Sequence, residues 1–234
     1  MKRIGRLLAA VVIARLLTAM ACAAPIAAER PIVPDLKALA AGAGSELSDG
    51  GRAQWLPSVK GKPALQLTGG KDGALLLLKG IDFADGVIEF DTLGQSAPPQ
   101  GSFVGIVFRV DGHTGVDSVY FRPFNFRADT ALARSHSLQY MSLPDNPWKV
   151  LRERKPGGYE REIMPAPDGD AWVHARIVFR KPSISVYVDG ATTPSLVVDE
   201  LTGRKGGGIG LFVGSEQGGY FANLTITPAP RANP

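Results

Sequence analysis

The sequence is poor in cysteine and histidine. Its 234 residues include three histidines and a single cysteine, Cys22, close to the N-terminus. The rest of the chain therefore cannot form an internal disulfide, and a packed core must hold it together. No two histidines have the spacing of a metal-binding motif, so the sequence predicts no metal site.

The chain also lacks an apolar run long enough to cross a membrane. Two apolar segments, residues 7–13 and 16–28, are separated by Arg15, and neither reaches the roughly 20 residues of a transmembrane helix. Positive residues precede these segments and small residues follow them, which is typical of a secretory signal. We therefore expect residues 1–28 to be a signal peptide and the protein to be exported, to the periplasm or the extracellular space.

The segment that ends at Cys22 leaves an alternative open. Residues 19–22 read Ala-Met-Ala-Cys and resemble a bacterial lipoprotein cleavage box, although the usual leucine three residues before the cysteine is missing. Lipidation of Cys22 would anchor the chain to a membrane, and it is the only membrane contact that the sequence suggests. Without lipidation, Cys22 is an incidental small residue of the leader.

Beyond the leader there is no excess of charge of either sign. The formal net charge of +4 comes from Lys2, Arg3, Arg6 and Arg15, which leaves 22 basic and 22 acidic residues in the rest of the chain. A nucleic-acid-binding domain usually carries a basic surface, so this balance argues against a nucleic-acid partner. A neutral domain is compatible with an uncharged ligand.

Sustained helical periodicity is also absent after the leader, and period-two alternation takes its place. Val173, Ala175, Ile177 and Phe179 alternate with polar residues, as in a strand with one buried face. About a dozen such strands, one of them at residues 149–152, are separated by Gly-rich and Asp-Gly turns and predict an all-β fold of two stacked antiparallel sheets. We expect a linker and lead-in at residues 29–60, one β-sandwich domain at 61–228 and a tail at 229–234.

Several of these strands carry a recognisable pattern. The segments are Gly86–Asp91, Gly105–Arg109, Trp172–Val178, Ser185–Gly190, Gly208–Phe212 and Phe221–Leu224. Together they resemble the concanavalin A-like lectin/glucanase superfamily, and more narrowly its laminin-G-like and 3-keto-disaccharide hydrolase (glycoside hydrolase 16-like) domains. The resemblance implies a jelly-roll sandwich with one concave sheet and glycans as the commonest ligands. Structural calcium occurs across this superfamily, but no run of loop ligands indicates it here, and no cofactor is expected.

Acid/base candidates are few. Glu89 and Asp91 lie two apart, so that both side chains point to the same face of a strand. The glucanases of the superfamily use a Glu-x-Asp-x-x-Glu arrangement, whereas this chain has Gly94 at the second glutamate position. Catalytic residues therefore remain open, with His136, Glu89 and Asp91 as candidates and a solvated strand face as the alternative for the two carboxylates.

The densest mixture of aromatic and polar residues lies between residues 119 and 148. Rings with polar edges and amides suit a sugar, which needs flat apolar surfaces for stacking and fixed hydrogen-bond partners. The predicted ligand-binding residues are Tyr120, Arg122, Asn125, His136, Gln139, Tyr140 and Trp148. Only one of Gln139 and Tyr140 can point into a given cleft, and Pro123 indicates a sheet edge, a bulge or a strand end.

The sequence thus predicts an exported, lectin-like domain that recognises a glycan on its concave sheet. One alternative is a glycoside hydrolase or lyase related to the 3-keto-disaccharide hydrolases. Another is a laminin-G-like protein-interaction domain.

Overall fold

Two antiparallel sheets of seven strands each pack face to face in the computed structural model. The structure describes residues 30–96, 101–112 and 115–230. The predictions for the signal peptide, for Cys22 and for residues 231–234 of the tail therefore lie outside the described residues. The prediction of an all-β sandwich of two antiparallel sheets is confirmed.

The first sheet is called the front sheet here. In spatial order its strands are β1 (Ser45–Leu47), β4 (Ala74–Leu78), β13 (Gly208–Val213), β6 (Val104–Asp111), β7 (Gly115–Phe121), β8 (Leu138–Leu143) and β9 (Glu160–Arg161). The central strands are therefore contributed by distant parts of the chain.

The second sheet is called the back sheet. Its strands are, in spatial order, β12 (Leu196–Asp199), β11 (Ser183–Val188), β10 (Val173–Arg180), β5 (Gly86–Leu93), β14 (Gly219–Pro228), β3 (Lys62–Thr68) and β2 (Arg52–Val59). The consecutive strands β10 and β11 pair directly and without a register shift, so period-two alternation sets which of their side chains point inward.

The core lies between the inner faces of the two sheets. On β10, Val173, Ala175, Ile177 and Phe179 are buried, and the residues between them are not. Phe179 meets Phe108 of β6 edge to face, with ring centroids 4.7 Å apart. Burial of these apolar side chains supplies the main driving force for stacking the sheets.

One buried cation joins the sheets at an end of the sandwich. Arg109 of β6 has no exposed surface and a positive φ of 52°, at an irregularity in the β6–β7 pairing. Its guanidinium forms a salt bridge with the buried Glu200 (2.7 Å) and donates to the carbonyl oxygens of Phe83 and Lys205. These bonds fix the connection from β12 to β13 against the front sheet.

Helical structure is short and lies in the connections. The helices are α1 (Leu36–Ala40), a 3-10 turn (Pro123–Asn125), α2 (Ala131–Arg134) and α3 (Trp148–Arg154). None of the helices in the described part of the chain has both the length and the apolar character needed to span a bilayer. Pro123 lies two residues after Phe121, the last residue of β7, in agreement with a strand end near this position.

Two predictions about local structure are wrong. Residues 149–152 were expected to form a strand and instead lie in α3, because four residues are too few to separate the two periodicities. Residues 29–60 were expected to be a linker, whereas α1, β1 and β2 lie there and β1 and β2 form one edge of each sheet. Edge strands are half exposed, so they lack the apolar alternation that marks inner strands.

Candidate functional site

The outer face of the front sheet holds most of the predicted ligand-binding residues. Strand alternation turns Val119 and Phe121 of β7 into the core and Tyr120 to the outer face, with Arg122 just beyond the strand end. On β8, Gln139 pairs with Tyr120 across the strands and therefore shares this face. The helix α3 covers one side of the face through the buried Leu151, which packs against Tyr120.

Four aromatic rings form a continuous row on this face, called the aromatic strip. The ring of Phe103 lies 5.4 Å from Phe124 and 6.1 Å from Tyr120, and Tyr120 lies 5.6 Å from Phe212, centroid to centroid. Tyr120 is buried at the centre, while the other three rings are half-buried. Gly105 faces Tyr120 across the strands, and a Cβ there would lie 2.6 Å from the Tyr120 Cα, so glycine keeps this approach open.

The guanidinium of Arg122 packs against two rings of the aromatic strip. Its guanidinium carbon lies 5.0 Å from the Tyr120 ring centroid and 5.6 Å from that of Phe103. Nη2 donates to the Tyr120 hydroxyl (2.9 Å) and to the Gln139 amide oxygen (3.1 Å), and Nη1 donates to the His136 carbonyl oxygen (2.8 Å). Burial lowers the pKa of Arg122 and raises that of Tyr120. The guanidinium therefore donates its hydrogen bonds to groups of the protein itself.

A buried carboxylate lies beside Arg122. Glu160 of β9 is 3% exposed and accepts two hydrogen bonds from Arg152 of α3, at 2.9 and 2.7 Å. The His136 Nε2 lies 3.2 Å from the same carboxylate. Burial lowers the pKa of His136, and the positive charges of Arg152 and Arg122 act in the same direction against the attraction of Glu160. Burial and the two arginines thus favour the neutral form of the imidazole.

Two grooves flank the aromatic strip. The first has a volume of about 600 Å³ and lies over β4, β13, β6, β7 and β8, with Phe212 and Met141 in its lining. The second, of about 450 Å³, is lined by Phe103 and Phe124 together with Lys71, Ser215, Glu216 and Gln217. Each groove thus reaches a half-buried ring of the strip.

The structure brings four of the predicted ligand-binding residues together and changes what they can do. Tyr120, Arg122, Gln139 and His136 form one hydrogen-bonded cluster, and the Asn125 amide reaches the His136 carbonyl oxygen at 3.4 Å. Tyr120, Arg122 and Gln139 are at most 5% exposed. They are placed to support the surface rings rather than to contact a ligand themselves.

The position of Tyr140 differs from the one that the sequence predicts. Its side chain has no exposed surface and points between the sheets, because it follows Gln139 on the same strand. The hydroxyl donates to Asp117 (2.8 Å) and accepts from the backbone N–H of Leu201 (3.0 Å). Burial raises the pKa of Tyr140, and the neighbouring Asp117 charge raises it further. The prediction that Tyr140 stacks on a ligand is wrong.

Trp148 begins α3 and is 43% exposed. The Arg152 guanidinium lies 4.8 Å from its ring centroid, so one ring face is occupied. It lines neither groove described above. Its assignment as a stacking residue stays a prediction.

Glu89 and Asp91 lie on the outer face of the back sheet and therefore cannot act with His136 in one catalytic set. Asp91 is 3% exposed and accepts hydrogen bonds from Lys62 (2.6 Å), Asn223 (2.6 Å) and His174 (2.8 Å). Burial alone would raise the pKa of Asp91, but these three hydrogen bonds outweigh burial and hold the pKa below its ordinary value. A carboxylate engaged in this way holds its own strand β5 to three others, β3, β10 and β14.

The predicted ligand-binding residues do not include three rings of the strip, Phe103, Phe124 and Phe212. In β13 the inward residues are Ile209, Leu211 and Val213, so Phe212 shares the outer face with two glycines. A lone aromatic ring among glycines on the outer face was the available signal. Among the described residues, no three His, Cys, Asp or Glu side chains are arranged to hold a metal ion.

No protein-family model matches this sequence, and a search of curated proteins finds no match. Solved structures do match in fold. The carbohydrate-binding module CBM66 from Bacillus subtilis is 13% identical with a TM-score of 0.53, and the alignment covers 77% of this chain and 93% of the module. A B. subtilis protein of unknown function with a galectin-like fold is also 13% identical, with a TM-score of 0.51 and coverage of 80% and 90%. This chain therefore shares the β-sandwich fold of a carbohydrate-binding module and of a galectin-like protein.

Proposed function

We propose that this protein is an exported carbohydrate-binding domain that holds a neutral saccharide on the outer face of its front sheet. The observation that carries the proposal is the aromatic strip, whose half-buried rings lie between two grooves. The C–H face of a sugar ring stacks on exposed aromatic rings, and polar groups at the rim then fix its orientation. The fold shared with a carbohydrate-binding module supports the same assignment.

Each part of the site has a distinct role in this proposal. Phe103, Phe124 and Phe212 stack on the saccharide, and Ser215 and Glu216 of the second groove bind its hydroxyl groups. The buried cluster around Arg122 holds Tyr120 and, through it, the spacing of the surface rings. Preorganised rings lose little conformational entropy when a ligand binds.

A glycan array of the purified protein, followed by calorimetry on the best ligand, tests this proposal. Alanine at Phe103 or Phe212 is expected to weaken binding about five- to tenfold, since a stacked ring contributes about 1–1.4 kcal/mol. The matched control is Tyr187→Ala, because Tyr187 is a half-buried ring on the outer face of the back sheet, stacked with Arg176 at 5.3 Å. Unchanged affinity in both phenylalanine variants, or an equal loss in the control, would contradict the site.

The second candidate is a glycoside hydrolase or lyase related to the 3-keto-disaccharide hydrolases. It is favoured by His136, whose Nε2 lies 3.2 Å from the Glu160 carboxylate beside the strip, because a histidine paired with a carboxylate can act as a general acid or base. Turnover of glycosides or 3-keto-glycosides that disappears in His136→Ala, with saccharide binding retained, would support it. A laminin-G-like protein-interaction domain is the outcome if the array shows no glycan and a protein partner is isolated.

A further inference from the structure

The first groove differs chemically from the rest of the candidate site. Its floor is apolar and is formed by Leu75, Val107, Val116, Met141 and Phe212. A sugar ring carries hydroxyl groups around its edge, and burying them against such a floor leaves them without hydrogen-bond partners. The volume of about 600 Å³ is nevertheless in the range of small-molecule sites. The floor therefore suits hydrocarbon better than a sugar ring.

Charge narrows the class of hydrocarbon ligand further. Among the described residues, the charged side chains that line the first groove are those of Asp49 and Asp72, both exposed, and no lysine or arginine of this part of the chain lines it. Carboxylate or phosphate head groups at this rim would meet like charge. The groove is thus complementary to a hydrocarbon whose head group is uncharged.

The aromatic strip connects this groove with the proposed sugar site. Phe212 lines the first groove and contacts Tyr120, Tyr120 contacts Phe103, and Phe103 lines the second groove. The second groove is the polar one, with Lys71, Ser215 and Glu216 in its lining. One ligand can therefore place a polar head over the strip and the second groove and an apolar tail in the first.

We infer that the ligand is a neutral amphiphilic glycoside, with its sugar on the aromatic strip and an alkyl or acyl aglycone in the first groove. This inference rests on the proposed function, since it uses the same sugar site. It adds that the alkyl or acyl group attached to the sugar contributes to the binding free energy. Burial of each methylene group is expected to strengthen binding about two- to fourfold, less than for full enclosure because the groove is open to solvent.

The experiment compares methyl and octyl pairs of β-glucoside, β-galactoside and β-maltoside by calorimetry, below the micelle concentration of the octyl compounds. For the sugar that binds, the octyl glycoside is expected to bind at least tenfold more tightly than the methyl glycoside. Octanoate and octyl phosphate, which carry the same chain on an anionic head, are expected not to bind.

Two variants on one strand locate the effect. Leu75 and Leu77 lie on the outer face of β4 with similar burial, but only Leu75 lines the first groove. Leu75→Glu is expected to remove the advantage of the octyl chain while leaving the methyl glycoside affinity unchanged, and Leu77→Glu is expected to preserve both. If Leu75→Glu does not fold, Leu143→Glu in the same lining serves instead.

The outcomes separate this inference from the proposed function. Saccharide binding that is equal for methyl and octyl partners overturns the inference and leaves the proposed function standing. Octyl compounds that bind regardless of head group, with no binding of free saccharides on the array, overturn both. If the octyl glycoside still binds more tightly than the methyl glycoside in the Leu75 and Leu143 variants, the inference is also overturned. The octyl group then lies outside the first groove.

Discussion

Replacing Asp91 with asparagine tests whether the outer face of the back sheet is held by a buried carboxylate. Asp91 joins its own strand β5 to three others, because it accepts hydrogen bonds from Lys62 of β3, His174 of β10 and Asn223 of β14. Asparagine has nearly the same shape but keeps a single acceptor oxygen. Its NH₂ group would point at donors, and one or two of the present bonds would be lost.

The expected loss of stability follows from the burial of the partners. Breaking a fully buried ion pair costs about 3–5 kcal/mol. The side chains of Lys62 and His174 are 36% and 41% exposed, so water can solvate them again once Asp91 is replaced. We therefore expect the free energy of unfolding to fall by about 2–3 kcal/mol, which lowers the urea midpoint by about 1 M.

The effect must also depend on pH, in a direction that the structure fixes. The pKa of Asp91 in the folded protein lies below its ordinary value, so its contribution is present above the pKa of the unfolded chain, about 4. It is lost as the pH falls through the pKa of the folded protein. The difference between wild type and Asp91→Asn should thus be full at pH 7 and shrink as the pH falls below 4.

Urea unfolding followed by circular dichroism at pH 7 and at several values below 4 measures both effects. Glu89→Gln is the matched control, since Glu89 lies on the same strand and face but is 37% exposed, with His174 and Arg176 no nearer than 3.8 Å. It should change stability by less than about 0.5 kcal/mol. A similarly small effect for Asp91→Asn at pH 7, or a difference that does not vary with pH, would refute the reasoning.

The fold could be predicted from the sequence where each strand buries one face. Val173 to Phe179 alternate because the core accepts every second side chain, and that alternation is visible without neighbouring strands. The edge strand β2 gives no such signal, since it is half exposed and contains Pro57 next to an irregularity in its pairing with β3. The two-residue strand β9 exists only through its pairing with β8.

The candidate site could be predicted only in part, for a topological reason. Tyr120, Arg122 and Gln139 were found because they come from consecutive, paired strands, where period two assigns them to one face. Phe212 joins Tyr120 only because β13, β6 and β7 are neighbours in the front sheet, although more than 90 residues separate the two rings in sequence. Sheet order is not encoded in any single strand, so Phe212 could not be assigned to the aromatic strip from the sequence.

Two further substitutions distinguish buried support from ligand contact. Tyr140→Phe removes the hydroxyl shared by Asp117 and the Leu201 N–H, so we expect unfolding to become about 1–3 kcal/mol easier while saccharide affinity stays unchanged. A large loss of saccharide affinity with unchanged stability would show that Tyr140 contacts the ligand. Arg122→Met keeps an unbranched stem but removes the guanidinium, which leaves the Gln139 oxygen and a carbonyl without their donor, and we expect a loss of about 3–5 kcal/mol in urea unfolding. The guanidinium also fixes the spacing of the rings in the strip. Saccharide affinity should therefore fall in this variant, even where circular dichroism shows that the variant is fully folded. Retained affinity would show that the strip keeps its arrangement without Arg122.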